Sequence, residues 1–153
     1  MFQIIRQDLL NAPTAAICHQ VNCRGVMGAG VAKAIAERFP EVKTEYEKLC
    51  RLRNSVQSQN ELLGTVQRVD ISGGSRAVFN IFGQLNYGRG VRHTDYDALT
   101  RAFVVLNRMC IGKSVAFPYG FGCGLGGGNW MQVETLMLKY LRDCDVYICM
   151  KED

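Results

Sequence analysis

Two glycine-rich stretches, residues 25–30 and 120–128, constrain this chain more than any other feature of its sequence. Nine of the sixteen glycines fall in them: Gly25, Gly28 and Gly30 in the first, then Gly120, Gly122, Gly124, Gly126, Gly127 and Gly128. Flexible linkers and collagen-like repeats need glycine spread over long low-complexity runs, so clustering of this kind excludes both. Each stretch follows an apolar run and precedes an amphipathic one. The pattern is strand, glycine turn, helix, occurring twice.

Apolar periodicity fills in the rest. Phe2 to Ile5 and Ala15 to Val21 read as strands, the second apolar enough for burial on both faces. Val31, Ala34, Ile35 and Phe39 recur at helical spacing until Pro40 stops the helix. Glu41 to Arg53 predicts a second helix, followed by a polar loop, NSVQSQNE. Leu63 to Ile71 and Ala77 to Phe82 predict two strands joined through SGGS. A stronger helix starts at Thr94, expected as its cap with Asp97, and ends at Gly112. Ser114 to Tyr119 is a strand. Asn129 caps a helix bearing Trp130, Val133, Met137 and Tyr140, and Val146 to Met150 closes the chain's regular structure. Alternating strands and helices without a repeat or linker predict one α/β domain spanning 1–153, three layers deep, its mixed sheet parallel in the centre.

The length suits one domain with a real core, and 48% hydrophobic with 21% charged residues reads as soluble. The longest uncharged run, Ser114 to Val133, holds Pro118 and six glycines and is no membrane helix. The N-terminus meets Arg6 and Asp8 too early for a secretory core, so a cytoplasmic location without membrane contact is expected. Seven cysteines, none in a C-x-x-C pair, imply neither disulfides nor zinc. No metal and no resident cofactor are expected, and the chain is read as a monomer. The net charge of +4 comes from scattered residues, mildly favouring anionic small molecules over nucleic acid.

In open α/β sheets ligands bind beyond the carboxyl ends of the strands, where both glycine loops are expected to meet. Loop amides and a helix N-terminus there suit a diphosphate, although tight turns and close packing alone would also use glycine. No Gly-Lys-Ser/Thr follows either loop, and the spacing is not G-x-G-x-x-G. Kinase and nicotinamide-dehydrogenase readings are therefore disfavoured.

The stretch His19-Gln20-Val21-Asn22-Cys23-Arg24-Gly25-Val26-Met27-Gly28-Ala29-Gly30-Val31-Ala32, with the early Gln7-Asp8-Leu9 and the later Gly122-Cys123-Gly124-Leu125, resembles a macro domain. The likeness runs through nearly the whole chain. It is nearest to the branch holding the terminal ADP-ribose protein glycohydrolase, the yeast ADP-ribose 1″-phosphate phosphatase and many phage proteins. The resemblance implies ADP-ribose or its 1″-phosphate as ligand, with an ADP-ribosylated macromolecule as a further possible partner. It implies that Asp8 accepts from the adenine amino group and that Leu9 lies against the base. Asn22 and Cys23 would open the loop around the distal ribose, with Met27, Gly28, Ala29, Gly30, Val31 and Ala32 lining it and the diphosphate. Pro118, Gly122, Cys123, Gly124 and Leu125 would form the second phosphate loop. Tyr147 is the candidate for adenine stacking, although nothing aromatic need serve.

The glycohydrolase branch uses a lysine nucleophile and an aspartate, and these places fall on Gln84 and Gly126. An amide is no amine nucleophile, so a lysyl intermediate is excluded and Gln84 is read as a ligand contact. His19 matches the phosphatase better, as acid or base, with Asn22 holding the ribose. A strand-end histidine satisfied by hydrogen bonds is the alternative. Cys123 reads as nucleophile or small packing, His93 and Asp95 as site residues or a helix start, and Arg89 and Arg92 as phosphate contacts or solvated charges. Three functions stay open: a phosphatase of ADP-ribose 1″-phosphate, a non-catalytic ADP-ribose reader, and an ADP-ribosyl hydrolase acting on modified protein or nucleic acid without the lysine.

Overall fold

In the computed structural model, which describes residues 1–151, alternate residues of the inner strands serve two separate cores. Along β2 (Ala16–Asn22), Ala16 and Cys18 face one core while Ile17 and Val21 face the other. The same division holds in β4 (Arg76–Gln84), where Phe79 and Ile81 oppose Val78 and Phe82. A strand buried on both faces needs helices on both sides. One side is covered by α1 (Gly30–Arg38) and α2 (Pro40–Arg51) through Ile35, Val42 and Tyr46. The other is covered by α4 (Tyr96–Met109) and α5 (Trp130–Tyr140) through Leu99, Phe103, Val133 and Met137. These are the three layers expected.

The sheet also contains β1 (Phe2–Arg6), β3 (Val66–Ile71), β5 (Ser114–Pro118) and β6 (Asp145–Met150), in the order β1-β6-β5-β2-β4-β3. Every neighbouring pair is parallel except β3 with β4, so the sheet is mixed with a parallel centre. Parallel pairing brings the carboxyl ends of β2, β4, β5 and β6 to one edge.

Local chemistry sets the element ends, and three differ from expectation. Pro40 does end α1, but it also opens α2 as a first-turn residue, where its missing N–H costs nothing. The polar segment after α2 is not all loop: Ser55 accepts from Ser58 N at 3.0 Å and caps a short helix, α3 (Val56–Asn60). The cap of α4 is Asp95, whose carboxylate accepts from Ala98 N at 2.9 Å, rather than Thr94. Thr94 is buried and serves the site below. Asn129 caps α5 through Gln132 N as expected.

Candidate functional site

The first glycine loop is held by the last residue of β2. Asn22 Oδ1 accepts from Arg24 N at 2.9 Å, and its Nδ2 donates to Val26 O at 2.8 Å, folding the loop back on the strand end. The Tyr46 hydroxyl lies 2.7 Å from Asn22 O and 2.8 Å from Asn22 Oδ1, and accepts from Gly25 N. Burial keeps that phenol firmly protonated. Gly25 has φ +81°, and a Cβ there would stand 3.1 Å from Cys50 Cβ. Arg24 leaves this loop to meet three amide oxygens, those of Asn86, Gln59 and Asn60, and among the described residues no carboxylate. The loop then enters α1 through Ala29, whose side chain offers no cap, so the first-turn N–H groups keep their donors for a ligand.

The second loop runs from Pro118 to Asn129. Phe121 plugs it into the core beside Phe103 and Phe117. Gly128 N donates to Gly122 O at 2.9 Å and Gly127 N to Gly124 O at 3.0 Å, closing the turn. A third segment, 85–93, crosses nearby and is tied to it, because His93 N and Thr94 N both donate to Gly126 O.

Between these segments lies a cleft of about 670 Å³, lined among others by His19, Asn22, Gln84, Gly122 and Arg89. A second cavity of about 430 Å³ holds Asp8, Leu9, Met150 and Lys151. Gly30, Val31, Pro118 and Tyr119 line both cavities, so the two join at the sheet edge.

Most residues singled out from the sequence come together here. Gly28, Ala29, Gly30, Val31, Ala32, Pro118, Gly122, Gly124 and Leu125 line the larger cavity. Asp8 and Leu9 line the smaller one, where Asp8 Oδ1 also accepts from Leu10 N at 3.0 Å. Three side chains point elsewhere. Cys23 and Met27 are buried among Ile35 and Phe82 in the core, and Cys23 Sγ donates to Gln84 O at 3.4 Å. Cys123 packs beside the other core and donates to Phe121 O, and burial raises its thiol pKa, features that go with its packing alternative. Tyr147 lines neither cavity. Arg92 lies 5.0 Å over the Tyr96 ring, while Arg89 does border the cleft.

His19 is 1% exposed. Asn80 Nδ2 donates to Gln67 Oε1, which leaves Asn80 Oδ1 to accept from His19 Nε2. The ring's Nδ1 is then the bare acceptor, buried without a partner among the described residues. Burial pulls the imidazole down to about 4, with the Asn80 bond opposing this only in part, so it is neutral at pH 7. Gln84 spends its amide locally: Oε1 accepts from Gln20 Nε2 at 2.7 Å and Nε2 donates to Asn86 O at 2.7 Å.

Sequence reasoning passed over Gln20, Tyr119 and Tyr46. Gln20 sits in an apolar strand, where a lone amide is itself a signal. Tyr119, 47% exposed, packs against Trp130 with ring centroids 4.9 Å apart and the planes tilted by 45°. Tyr46 lies at helical spacing from Val42 on the buried face of α2, a position that by itself reads as core. Among the described residues no cluster of three or more His, Cys, Asp or Glu could hold a metal ion, and no helix is long and apolar enough to cross a membrane.

Comparison with known proteins gives this cleft a context. The model of the Macro domain family matches residues 18–137, which include both glycine loops. A DNA ADP-ribosyl glycohydrolase of Mycobacterium tuberculosis is 33% identical over 145 residues, covering 92% of this chain and 40% of that protein. An ADP-ribose 1″-phosphate phosphatase of Aspergillus clavatus is 30% identical over 96 residues, covering 56% of this chain and 48% of that one. The chain thus spans less than half the length of either relative. The solved macrodomain of Mycobacterium tuberculosis DarG superposes with a TM-score of 0.79 at 26% identity, over the whole of both chains. With its mixed six-stranded sheet and paired glycine loops, the chain belongs to the macro domain family.

Proposed function

We propose that this chain binds ADP-ribose along the joined cavities and hydrolyses ADP-ribose 1″-phosphate to ADP-ribose and phosphate. The glycine loops and the uncapped start of α1 offer N–H groups to a diphosphate at the strand edge. The Asp8 carboxylate in the smaller cavity offers an acceptor to the adenine amino group, and the distal ribose falls to the Asn22 end. Asn22 acts there by shaping the loop, since its own amide is engaged with Arg24 and Val26. Two relatives whose names carry ADP-ribosyl or ADP-ribose chemistry support the ligand class.

The observation that carries the reaction is the unpartnered Nδ1 of a neutral His19 bordering the cleft. Water attacks phosphorus and gives a proton to this nitrogen. The bond from phosphorus to the C1″ oxygen breaks, and the proton returns to the departing oxygen as the 1″-hydroxyl. Amide cradles supply the positioning and charge stabilisation that phosphoryl transfer mainly needs. Gln84 and Gly126 supply neither amine nor carboxylate, which disfavours glycosidic cleavage of an ADP-ribosylated macromolecule.

A non-catalytic reader is the second reading, favoured by the Asn80 tie and by the low basicity of His19. Calorimetry with ADP-ribose, together with phosphate release from the 1″-phosphate, separates the two. Turnover that is lost in His19→Ala and His19→Asn, with ADP-ribose affinity kept, supports the phosphatase. Binding without turnover in the unmodified protein makes it a reader. Turnover unchanged in both variants removes His19 from the reaction, and absence of ADP-ribose binding refutes both readings.

A further inference from the structure

Gln20 lies on β2 between His19 and Val21, bordering the larger cavity. Its Nε2 donates to Gln84 Oε1 at 2.7 Å and to Thr94 Oγ1 at 2.9 Å. Thr94 Oγ1 donates onward to Gly122 O at 2.6 Å, and Gln84 Nε2 to Asn86 O at 2.7 Å. Every amide and hydroxyl orientation in this chain of bonds is fixed by the next. One end grips the second glycine loop and the other grips the start of segment 85–93, with Gln20 as the branch point.

The glycines around it leave room for these groups. A Cβ on Gly83 would overlap Gln20 Oε1, and one on Gly126 would stand 2.6 Å from Thr94 Oγ1, 2.8 Å from Gly122 O and 3.0 Å from Gln20 Nε2. Neither glycine has positive φ, so space rather than backbone conformation demands them. Gln20 Oε1, buried and without a partner among the described residues, is an acceptor the relay leaves over.

We propose that Gln20 is a positioning residue that presets the second glycine loop for the diphosphate, through a charge-neutral relay to Thr94, Gly122 and Gln84. This rests on the reading of the cleft as an ADP-ribose site. The relay lets the loop amides meet the ligand already arranged, rather than ordering on binding.

The test compares ADP-ribose with AMP, which carries the adenosine half and a single phosphate, in the unmodified protein and in Gln20→Ala, Gln20→Glu and Thr94→Val. Gln20→Glu keeps the shape but loses both donated bonds. Each variant is expected to weaken ADP-ribose by about tenfold, with AMP changed by less than about threefold, as expected for one to two lost hydrogen bonds. The double variant Gln20→Ala/Thr94→Val should be no weaker than the worse single, because the two act as one unit. Unchanged ADP-ribose affinity, equal losses for both ligands, or additive losses in the double variant would each overturn the role of Gln20 while leaving the site reading intact. An unmodified protein that binds no ADP-ribose would overturn both.

Discussion

Replacing Gly126 with alanine adds one methyl group where the structure has no place for it. The new Cβ would meet Thr94 Oγ1 at 2.6 Å and, more seriously, the backbone oxygen of Gly122 at 2.8 Å. Backbone cannot swing aside as a long side chain can, so the loop must shift and the 2.6 Å bond from Thr94 to Gly122 is lost with it. Overpacking costs about 1 to 3 kcal/mol. The lost bond adds about 1 kcal/mol, while the stiffer unfolded chain gives back about 0.4 to 1 kcal/mol. The net is a destabilisation of about 2 kcal/mol, or a melting point lower by about 4 to 8 °C for a chain of this size. Gly124→Ala is the matched control. It lies two residues away in the same loop, faces open space and has no positive φ, so it should melt with the unmodified protein or slightly above it. Thermal and urea unfolding of both variants settle the matter: equal stabilities would refute the view that Gly126 is kept for space.

Other outcomes follow from the same geometry. Because burial lowers His19 from 6.5 to about 4, the unfolded chain binds the extra proton between those values; stability should fall by about 3 kcal/mol as pH drops from 6.5 to 4, and His19→Asn should flatten that slope in urea titrations. Tyr46→Phe removes the hydroxyl that joins Asn22 to Gly25 N and should cost about 1 to 2 kcal/mol in chemical unfolding, with a matching loss of ADP-ribose affinity by calorimetry. Trp130 is the chain's one tryptophan, and Tyr119, at the junction of the cavities, packs against it with a tilted ring. Its emission should change when ADP-ribose binds, and Tyr119→Ala should abolish the change.

What the sequence made legible was periodic. Strand β2, with the helices α1, α4 and α5, announced themselves because apolar residues recur at the spacing each element buries. Asp8, Asn22 and the two loops were placed at the site by motif. Hidden from that reading was everything decided by a neighbour distant in the chain. Gln20 meets Gln84 and Thr94 across 64 and 74 residues, and Tyr46 reaches Asn22 from another helix. Thr94 looked like a cap because threonine before a helix commonly is one, yet Asp95 accepts that bond and leaves the hydroxyl for Gly122. Cys23, Met27 and Cys123 share the loops' sequence but turn their side chains into the cores.

The hold on Arg24 bears on how fast a ligand arrives. The ion pairs formed among the described residues, Met1 with Asp145, Arg53 with Glu61 and Arg68 with Asp70, leave Arg24 out. Three neutral amide oxygens fix its guanidinium beside the first loop. A fixed cation held beside the first loop, outside the lining of either cavity, adds to the field that draws anions from a distance of about one Debye length, some 10 Å in 0.1 M salt. Capture of a dianionic ligand should therefore slow as salt is added, while its escape rate hardly changes. Arg24→Gln should weaken that salt dependence without abolishing it, because Arg89 still borders the cleft.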